Sequence, residues 1–365
     1  NQIEKAVDKW REFMKIRVGI LDQDTIYVSR LIRYFTTHYT DKMEISVFDN
    51  KNDFLNIIQN TKIDILLADP NLVSDEIDLP KTTIMAYLSE DSEIQAIDGV
   101  KVVGKYQRAE LLYKEILGLY AELDQRVAYK ETEGISSIYF FVGASGGVGT
   151  TTMAVACAMR LAAYGNKVLY LNLEENGVIR PFLQGDGNST MSDVLYAVKS
   201  SHSNLALKLE SMIRKSEEGV YFYEPFTVTL DSREMTKNDL TQILDTIAVY
   251  HSYDFIIVDS DGTGSWKRNL LMDYAKKILV INDGSEISQI KLKRLLQETM
   301  IRDENEDKRI LSKIQVIDNR CSENVHAADP EYQDLMYGRM KRLERTAASD
   351  IAKEIGQSPF FDRLM

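Results

Sequence analysis

The chain has few residues of several types, and each shortage excludes a class of protein. Its 365 residues include two cysteines, Cys157 and Cys321, and six prolines. Two thiols are too few for a disulfide framework, and so little proline argues against a collagen-like or low-complexity chain. No stretch of about 18 uncharged apolar residues is present, so we expect no membrane-spanning helix. The amino end has no basic segment followed by an apolar one, and we therefore expect an intracellular protein.

Basic residues are also in the minority. The chain carries 44 Lys and Arg against 56 Asp and Glu, which gives a formal net charge of −12. This charge repels phosphate backbones and argues against DNA as a partner. The four histidines share no spacing that is typical of metal ligands, so we expect no histidine metal site.

The length of the chain and its hydrophobic pattern predict two α/β domains, because single cores stop growing at roughly 250 to 300 residues. In the first block, apolar runs of strand length alternate with helical patterns, which predicts a five-stranded parallel sheet covered by helices. We expect a lead-in helix at 1–13, this domain at 14–128 and a linker at 129–137. The predicted strands are 16–21, 44–48, 63–68, 83–88 and 100–103, and a closing helix spans 112–127.

A second and larger alternating block predicts another parallel-sheet domain over residues 138–365. Its first helix, 151–164, ends at Gly165, where a left-handed cap favours glycine. The charged run 302–308 predicts a solvated loop, and 341–356 predicts a helix. We expect the apolar end 360–365 to pack in the core or in a dimer contact, because it lacks the basic face of a membrane helix. The predicted strands are 138–143, 167–171, 219–225, 254–259, 276–281 and 313–318.

The sequence FVGASGGVGTTTMA, at 141–154, follows a predicted strand and opens a helix. In this context, glycines allow successive backbone N–H groups to converge on a phosphate, and the helix dipole adds to the attraction. A threonine hydroxyl at the helix start then reaches Mg²⁺ and a phosphate oxygen. We predict nucleotide contacts from Ser145, Gly146, Gly147, Val148, Gly149, Thr150, Thr151 and Thr152, with Thr151 as the metal ligand.

This loop resembles that of the deviant Walker A ATPases of the MinD/ParA superfamily, which reads roughly GKGGVGKTT. The glycines and threonines match, but both lysines are missing. Ser145 replaces the signature lysine, which in the family reaches the partner's nucleotide, and Thr150 replaces the P-loop lysine. Loss of two cations weakens transition-state stabilisation more than binding, so we expect an ATP (or ADP) and Mg²⁺ site with weak or absent hydrolysis.

The other motifs of the superfamily follow in order. Asp259 ends a strand that resembles the Walker B strand, so the resemblance implies a Mg²⁺ contact and a catalytic role there. Asn172 and Glu174 replace two aspartates of the switch segment, of which the second positions the attacking water, so Glu174 is a candidate catalytic residue. Asn319 and Arg320 follow a late strand, where the family carries an asparagine that contacts adenine.

Charged residues in the first domain follow strand ends in the order found in response-regulator receiver domains, which are flavodoxin-like. Asp22 and Asp24 follow the first strand, Asp69 the third and Lys105 the fifth. The resemblance implies an acidic Mg²⁺ pocket with Asp69 as phosphate acceptor. Tyr106 replaces the proline that usually follows the lysine. Two hypotheses remain open, phosphorylation at Asp69 or an atypical receiver used for docking, and we favour docking.

A receiver-like domain ahead of a MinD/ParA-like domain is the architecture of the TadZ/CpaE proteins of tight-adherence (Flp) pilus systems. The resemblance implies a cytoplasmic homodimer at a cell pole, near the inner face of the membrane, that positions pilus secretion machinery. Any membrane association would be indirect. Composition and periodicity show none of these properties.

Three alternatives remain. The chain is an active MinD/ParA-like ATPase if Glu174 and Asp259 compensate for the missing lysines. It is a ParA-like DNA partitioning protein if a local basic patch outweighs the net charge. Finally, the glycine loop binds nothing if it is only an ancestral remnant.

Overall fold

The computed structural model forms two compact units. Asn1–Lys130 and Ser200–Ser211 form the first unit, and Glu131–Lys199 and Met212–Met365 form the second. The predicted lead-in helix 1–13 and most of the linker 129–137 lie outside the described residues. The structure describes residues 15–58, 61–73, 79–80, 82–91, 94–123, 136–200, 204–250, 253–261, 265–321, 330–344 and 347–365.

The first unit is built on a six-stranded sheet in the order β2-β1-β3-β4-β6-β5. All neighbours pair in parallel except the short β5, which is antiparallel to β6. The five predicted strands are therefore confirmed, and β5 is an addition. The elements are β1 (Ile16–Leu21), α1 (Thr25–His38), β2 (Met43–Phe48), α2 (Lys51–Ile58), β3 (Ile65–Ala68), β4 (Ile84–Ser89), β5 (Ala96–Ile97), β6 (Val100–Gly104), α3 (Ala109–Ala121) and α6 (Leu205–Met212).

Burial on both faces explains the apolar strands of this unit. β3 is buried along its whole length, since helices cover both sides of a parallel sheet. Helix α1 begins after Asp24, whose carboxylate accepts from the Tyr27 N–H at 3.0 Å.

Leu207 of α6 packs into the core of the first unit, and Lys42 pairs with Glu210 at 2.8 Å. Segment 200–211 thus belongs to this unit although it follows the glycine loop in sequence.

The second unit is built on an eight-stranded sheet in the order β14-β13-β12-β7-β11-β8-β10-β9. The strands from β14 to β10 are parallel, and β9 is antiparallel to β10. The elements are β7 (Ser137–Gly143), α4 (Thr150–Ala163), β8 (Val168–Asn172), α5 (Met191–Lys199), β9 (Arg214–Lys215), β10 (Tyr221–Phe222), α7 (Thr229–Glu234), α8 (Lys237–Tyr250), β11 (Phe255–Asp259), α9 (Ser265–Tyr274), β12 (Lys277–Asn282), α10 (Glu286–Glu306), β13 (Ile314–Cys321), β14 (Met336–Lys341) and α11 (Ala348–Gln357).

This topology sets the position of the glycine loop. β7 lies between β11 and β12, and the loop leaves the carboxyl end of β7 to enter α4. In open parallel sheets, ligands bind outside the carboxyl ends of the strands. Helix α4 is buried along most of its length, and Gly165 follows it with φ +86°, as predicted for a left-handed cap.

The end of the chain packs into the core of the second unit. Phe361 and Leu364 are buried, and the Tyr139 hydroxyl donates to the Leu364 carbonyl at 2.6 Å. Arg160 pairs with Asp362 at 2.7 Å. Core packing of residues 360–365 is therefore confirmed.

Three sequence predictions were wholly or partly wrong in this unit. The helix predicted over 341–356 begins only at Ala348, and Lys341 instead ends β14. The run 302–308 is not a loop throughout, because α10 continues to Glu306, and Arg302 and Lys308 both pair with Asp273. Of the predicted strand 219–225, only Tyr221–Phe222 forms a strand. Among the described residues, no helix is both long enough and apolar enough to cross a bilayer.

Candidate nucleotide-binding site

The glycine loop adopts a conformation that only glycine tolerates at two positions. Gly147 has φ +75°, and Gly149, at the start of α4, has φ +92°. A Cβ on Gly143 would lie 2.7 Å from the Thr150 hydroxyl and 2.8 Å from the Ser145 carbonyl. The tight turn therefore depends on glycine, and it places the loop at the amino terminus of a buried helix, where backbone N–H groups and the helix dipole favour an anion.

Two side chains from the end of β13 hold the carbonyl side of this loop. Asn319 Nδ2 donates to the Val148 carbonyl at 2.8 Å, and Arg320 Nη1 donates to the Gly147 carbonyl at 2.7 Å. Arg320 itself has φ +58°, and its N–H donates to Asn319 Oδ1 at 2.9 Å. The structure thus brings the predicted residues to the loop. It shows them bracing the backbone, a role that the sequence prediction of adenine contact did not include.

Asp259 lies at the end of β11 and is fully buried. The hydroxyl of Tyr170, on the neighbouring strand β8, donates to Asp259 Oδ2 at 2.7 Å. Asp259 Oδ1 is buried and has no hydrogen-bond partner in the part of the chain that the structure describes. Burial and the nearby Glu174 carboxylate raise the pKa of Asp259 to about 7. An uncompensated carboxylate of this kind is a ready ligand for a cation.

Glu174 lies in the switch segment just after β8, at the same edge of the sheet. Burial raises the pKa of Glu174, and the charge of Asp261 raises it further, whereas hydrogen bonding by Asn172 lowers it. The Thr151 side chain lowers the pKa of both Glu174 and Asp259. Thr151, Glu174 and Asp259, three residues predicted from distant parts of the sequence, therefore meet at one site.

The donor set fits Mg²⁺ shared with a phosphate. Asp259 Oδ1 and the Thr151 hydroxyl are hard oxygen donors, and Mg²⁺ typically takes one or two protein ligands together with phosphate oxygens and water. No group of three or more Asp, Glu, His or Cys residues in the described ranges is arranged to hold a metal without other ligands. A metal here would depend on the phosphates of a nucleotide.

Sequence reasoning missed two residues of the site. Tyr170 is buried and bonded to Asp259, but in the sequence it is one of many tyrosines beside strands. Lys267, on α9, is also buried, and its Nζ donates to the Leu173 carbonyl at 3.1 Å. A lysine in a charged helical segment gives no signal in the sequence that its side chain turns inward.

The receiver residues gather at the carboxyl edge of the first sheet, but their pairing differs from the predicted phosphate site. Lys105 is buried and pairs with Asp22 at 2.9 Å and with Asp24 at 3.8 Å. Asp69 instead caps the turn that follows it, since its carboxylate accepts from Asn71 N–H at 2.8 Å. The ammonium group of Lys105 is thus paired with Asp22, and this pairing favours an atypical receiver domain over phosphorylation at Asp69.

Comparisons with known proteins agree with both units. Residues 14–121 match the family model described as TadZ-like, receiver domain, and residues 137–310 match an AAA domain model. A ParA family ATPase from Chlorobium tepidum TLS is 18% identical with a TM-score of 0.50, over 62% of this chain and 95% of that one. The septum site-determining protein MinD from Pyrococcus horikoshii OT3, complexed with Mg-ADP, is 19% identical with a TM-score of 0.47, over 62% and 92%. A comparison with curated proteins finds no match.

The two matches cover different units, in the order that the sequence predicts. The first confirms a TadZ-like receiver domain, and the second shows an AAA domain, to which the Chlorobium structure adds the fold of a ParA family ATPase. The chain therefore joins a TadZ-like receiver domain to an AAA domain with the fold of a ParA family ATPase, and this is the TadZ/CpaE-like architecture.

Proposed function

We propose that this protein is an ATP-binding, self-associating localisation and assembly factor of a tight-adherence (Flp) pilus system, with weak or absent ATP hydrolysis. One observation carries nucleotide binding. A glycine loop braced by Asn319 and Arg320 lies at the start of α4, beside a buried Asp259 oxygen that has no partner among the described residues. This arrangement offers N–H groups to an anion and an oxygen to a cation at the same edge of the sheet.

Weak hydrolysis follows from the charge of the loop. Ser145 and Thr150 stand where the superfamily carries lysines, so the loop binds phosphate through its backbone and helix dipole alone. Fixed cations contribute most where charge develops in the transition state, so their loss costs turnover more than binding. Mg²⁺ held by Thr151 and Asp259 would neutralise phosphate charge. In this proposal Glu174, whose pKa is raised by burial, would be the group that accepts a proton from the attacking water.

Isothermal titration calorimetry of the full chain with ATP and Mg²⁺ tests the binding proposal. We expect saturable heat for the wild type and a clear loss for Thr151→Ala, because that variant lacks the hydroxyl beside Asp259. Phosphate release by the wild type should not exceed that of a Thr151→Ala, Asp259→Ala double variant. Release well above that background would instead favour the active-ATPase alternative, with Glu174 as its base.

The role in pilus assembly rests on the TadZ-like match of the first unit, and the polar, cytoplasmic location is part of the same proposal. In cells that carry a tight-adherence system, a fluorescent fusion of the full chain should form a focus at a pole. A fusion spread evenly through such cells would contradict this role. We do not propose DNA partitioning, since the −12 net charge opposes it, and we expect no ATP-dependent retardation of duplex DNA.

A further inference from the structure

Lys267 is a buried cation that the mechanism above does not use. Its side chain lies on α9, the residue is 7% exposed, and its Nζ donates one hydrogen bond, to the Leu173 carbonyl at 3.1 Å. An ammonium group has three N–H donors. Two of them therefore have no protein acceptor within the described residues.

The ammonium group lies beside the switch segment. Leu173 is the residue between Asn172 and Glu174, and its own N–H donates to the Asp259 carbonyl at 2.8 Å. Lys267 thus contacts Leu173, which is hydrogen-bonded to Asp259 at the end of β11 and directly precedes Glu174 in the chain. The charges of Asp261 and Glu175 act on Lys267, but in the described ranges neither carboxylate lies within ion-pair distance of its Nζ.

A buried lysine without an ionic partner needs an explanation. Burial lowers the pKa of Lys267, which shows that the charged form is disfavoured by its surroundings. Lysine is rarely buried unless it is paired. A terminal phosphate would offer several charged oxygen acceptors to the two unused donors.

Arg320 is the other cation at the loop, but its geometry suits a different role. Its guanidinium is exposed and already donates to the Gly147 carbonyl. It therefore braces the loop from the carbonyl side. Lys267 instead bonds to the backbone of Leu173, which precedes Glu174 and bonds to Asp259, so Lys267 borders the side of the site where the metal and the terminal phosphate are expected.

We propose that Lys267 contacts the terminal phosphate of a bound nucleoside triphosphate and supplies the charge that the loop lysines provide in related proteins. This proposal rests on ATP binding at the glycine loop. It predicts that Lys267 distinguishes ATP from ADP, because only ATP carries the phosphate that Lys267 would contact. Lys267 is then a nucleotide-binding residue whose role does not depend on hydrolysis.

The test is calorimetry of full-length variants with ATP and with ADP, each with Mg²⁺. Lys267→Met removes the charge with little change in volume, and Lys267→Gln keeps a donor for the Leu173 carbonyl without the charge. We expect both to weaken ATP binding about 10- to 100-fold, the range for hydrogen bonds to charged groups, and to change ADP binding by less than about threefold. Lys291→Met, at an exposed site on α10, is the matched control and should leave both affinities unchanged.

Three results would overturn the proposal. Equal losses of ATP and ADP affinity would show a general structural effect. ATP affinity retained by Lys267→Gln but lost by Lys267→Met would show that Lys267 only positions Leu173. Unchanged affinity in both variants would show no role in binding. In each of these cases the wild type still binds nucleotide, so the proposed ATP-binding function is retained. A wild type that binds neither ATP nor ADP would instead contradict both the proposed function and the role of Lys267. A melting curve for each variant identifies any that fails to fold, and the other variant then decides.

Discussion

Replacement of Asp259 by Asn should stabilise the nucleotide-free protein at alkaline pH and lose that advantage in acid. Asp259 is fully buried, and its pKa is raised from 3.8 to about 7 by burial and by Glu174. The folded chain thus holds this proton more tightly than the unfolded chain does. The stabilisation is fully present below about pH 4 and is lost as pH rises through about 7.

The size of the effect follows from the same shift. A change from 3.8 to about 7 corresponds to about 4 kcal/mol of destabilisation when the carboxylate is ionised. Asparagine removes that cost, but its amide places donors where Asp259 Oδ1 has no partner, at a cost of about 1–3 kcal/mol. We expect a net gain of about 1–3 kcal/mol in the free energy of unfolding at about pH 8. The gain should shrink by about 2.5 kcal/mol between about pH 8 and about pH 5.

The assay is urea unfolding without nucleotide and with a chelator present. The chain has two tryptophans, Trp10 and Trp266, so Trp10→Phe leaves a single reporter on α9 of the second unit. Asp245→Asn is the control, because Asp245 accepts from the Tyr274 hydroxyl at 2.7 Å in an exposed pair. The reasoning would be refuted if Asp259→Asn gave no gain in the free energy of unfolding at about pH 8, or an equal gain at about pH 8 and about pH 5.

Three further predictions concern the loop and the receiver unit. Gly149→Ala should lower the free energy of unfolding by about 1–2 kcal/mol and weaken ATP binding, because residue 149 has φ +92° and its Cβ would lie 2.6 Å from Asn319 Nδ2. Gly146→Ala, which meets open space, should be as stable as the wild type in urea unfolding, and equal losses of stability in the two variants would contradict this account. Lys105→Met should destabilise the first unit by about 3–5 kcal/mol in urea unfolding, because it leaves Asp22 buried without its cation. Adding Asp22→Asn should restore most of the loss, and a double variant as unstable as the single one would argue against the ion pair. Treatment with acetyl phosphate should add no mass at Asp69, since Lys105 is committed to Asp22, and a phosphorylated Asp69 in the mass spectrum would reverse that conclusion.

The sequence predicts the fold and the placement of the site because both depend on regular spacing. Strand-length apolar runs locate the sheets, and residues at the carboxyl ends of parallel strands share one edge. This rule brings Asp259, Glu174 and Thr151 together without knowledge of any side-chain contact. The glycine after the first helix of the second unit likewise predicts the left-handed cap that the structure shows at Gly165.

Contacts between distant side chains could not be predicted in this way. In the helical end of α10, Arg302 pairs with Asp273, which lies on α9. The Tyr170 bond to Asp259 depends on how two neighbouring strands orient their side chains. Lys267 is buried because α9 packs its charged side chain against the switch segment, and hydrophobic periodicity carries no information on that choice.

The sequence also could not predict that segment 200–211 belongs to the first unit. Leu207 and Glu210 meet that unit's core and Lys42, which are far away along the chain. A linear division at a linker cannot represent a segment that returns to an earlier unit.

The central claim is that a glycine loop without lysine binds a nucleoside triphosphate with Mg²⁺. The most direct test is calorimetric titration of the full-length wild type with ATP and Mg²⁺, repeated with a chelator in place of the metal. This account predicts saturable heat with one nucleotide per chain and a much weaker signal when Mg²⁺ is removed. Absence of heat at saturating ATP and Mg²⁺ would contradict it and leave the loop as a structural remnant.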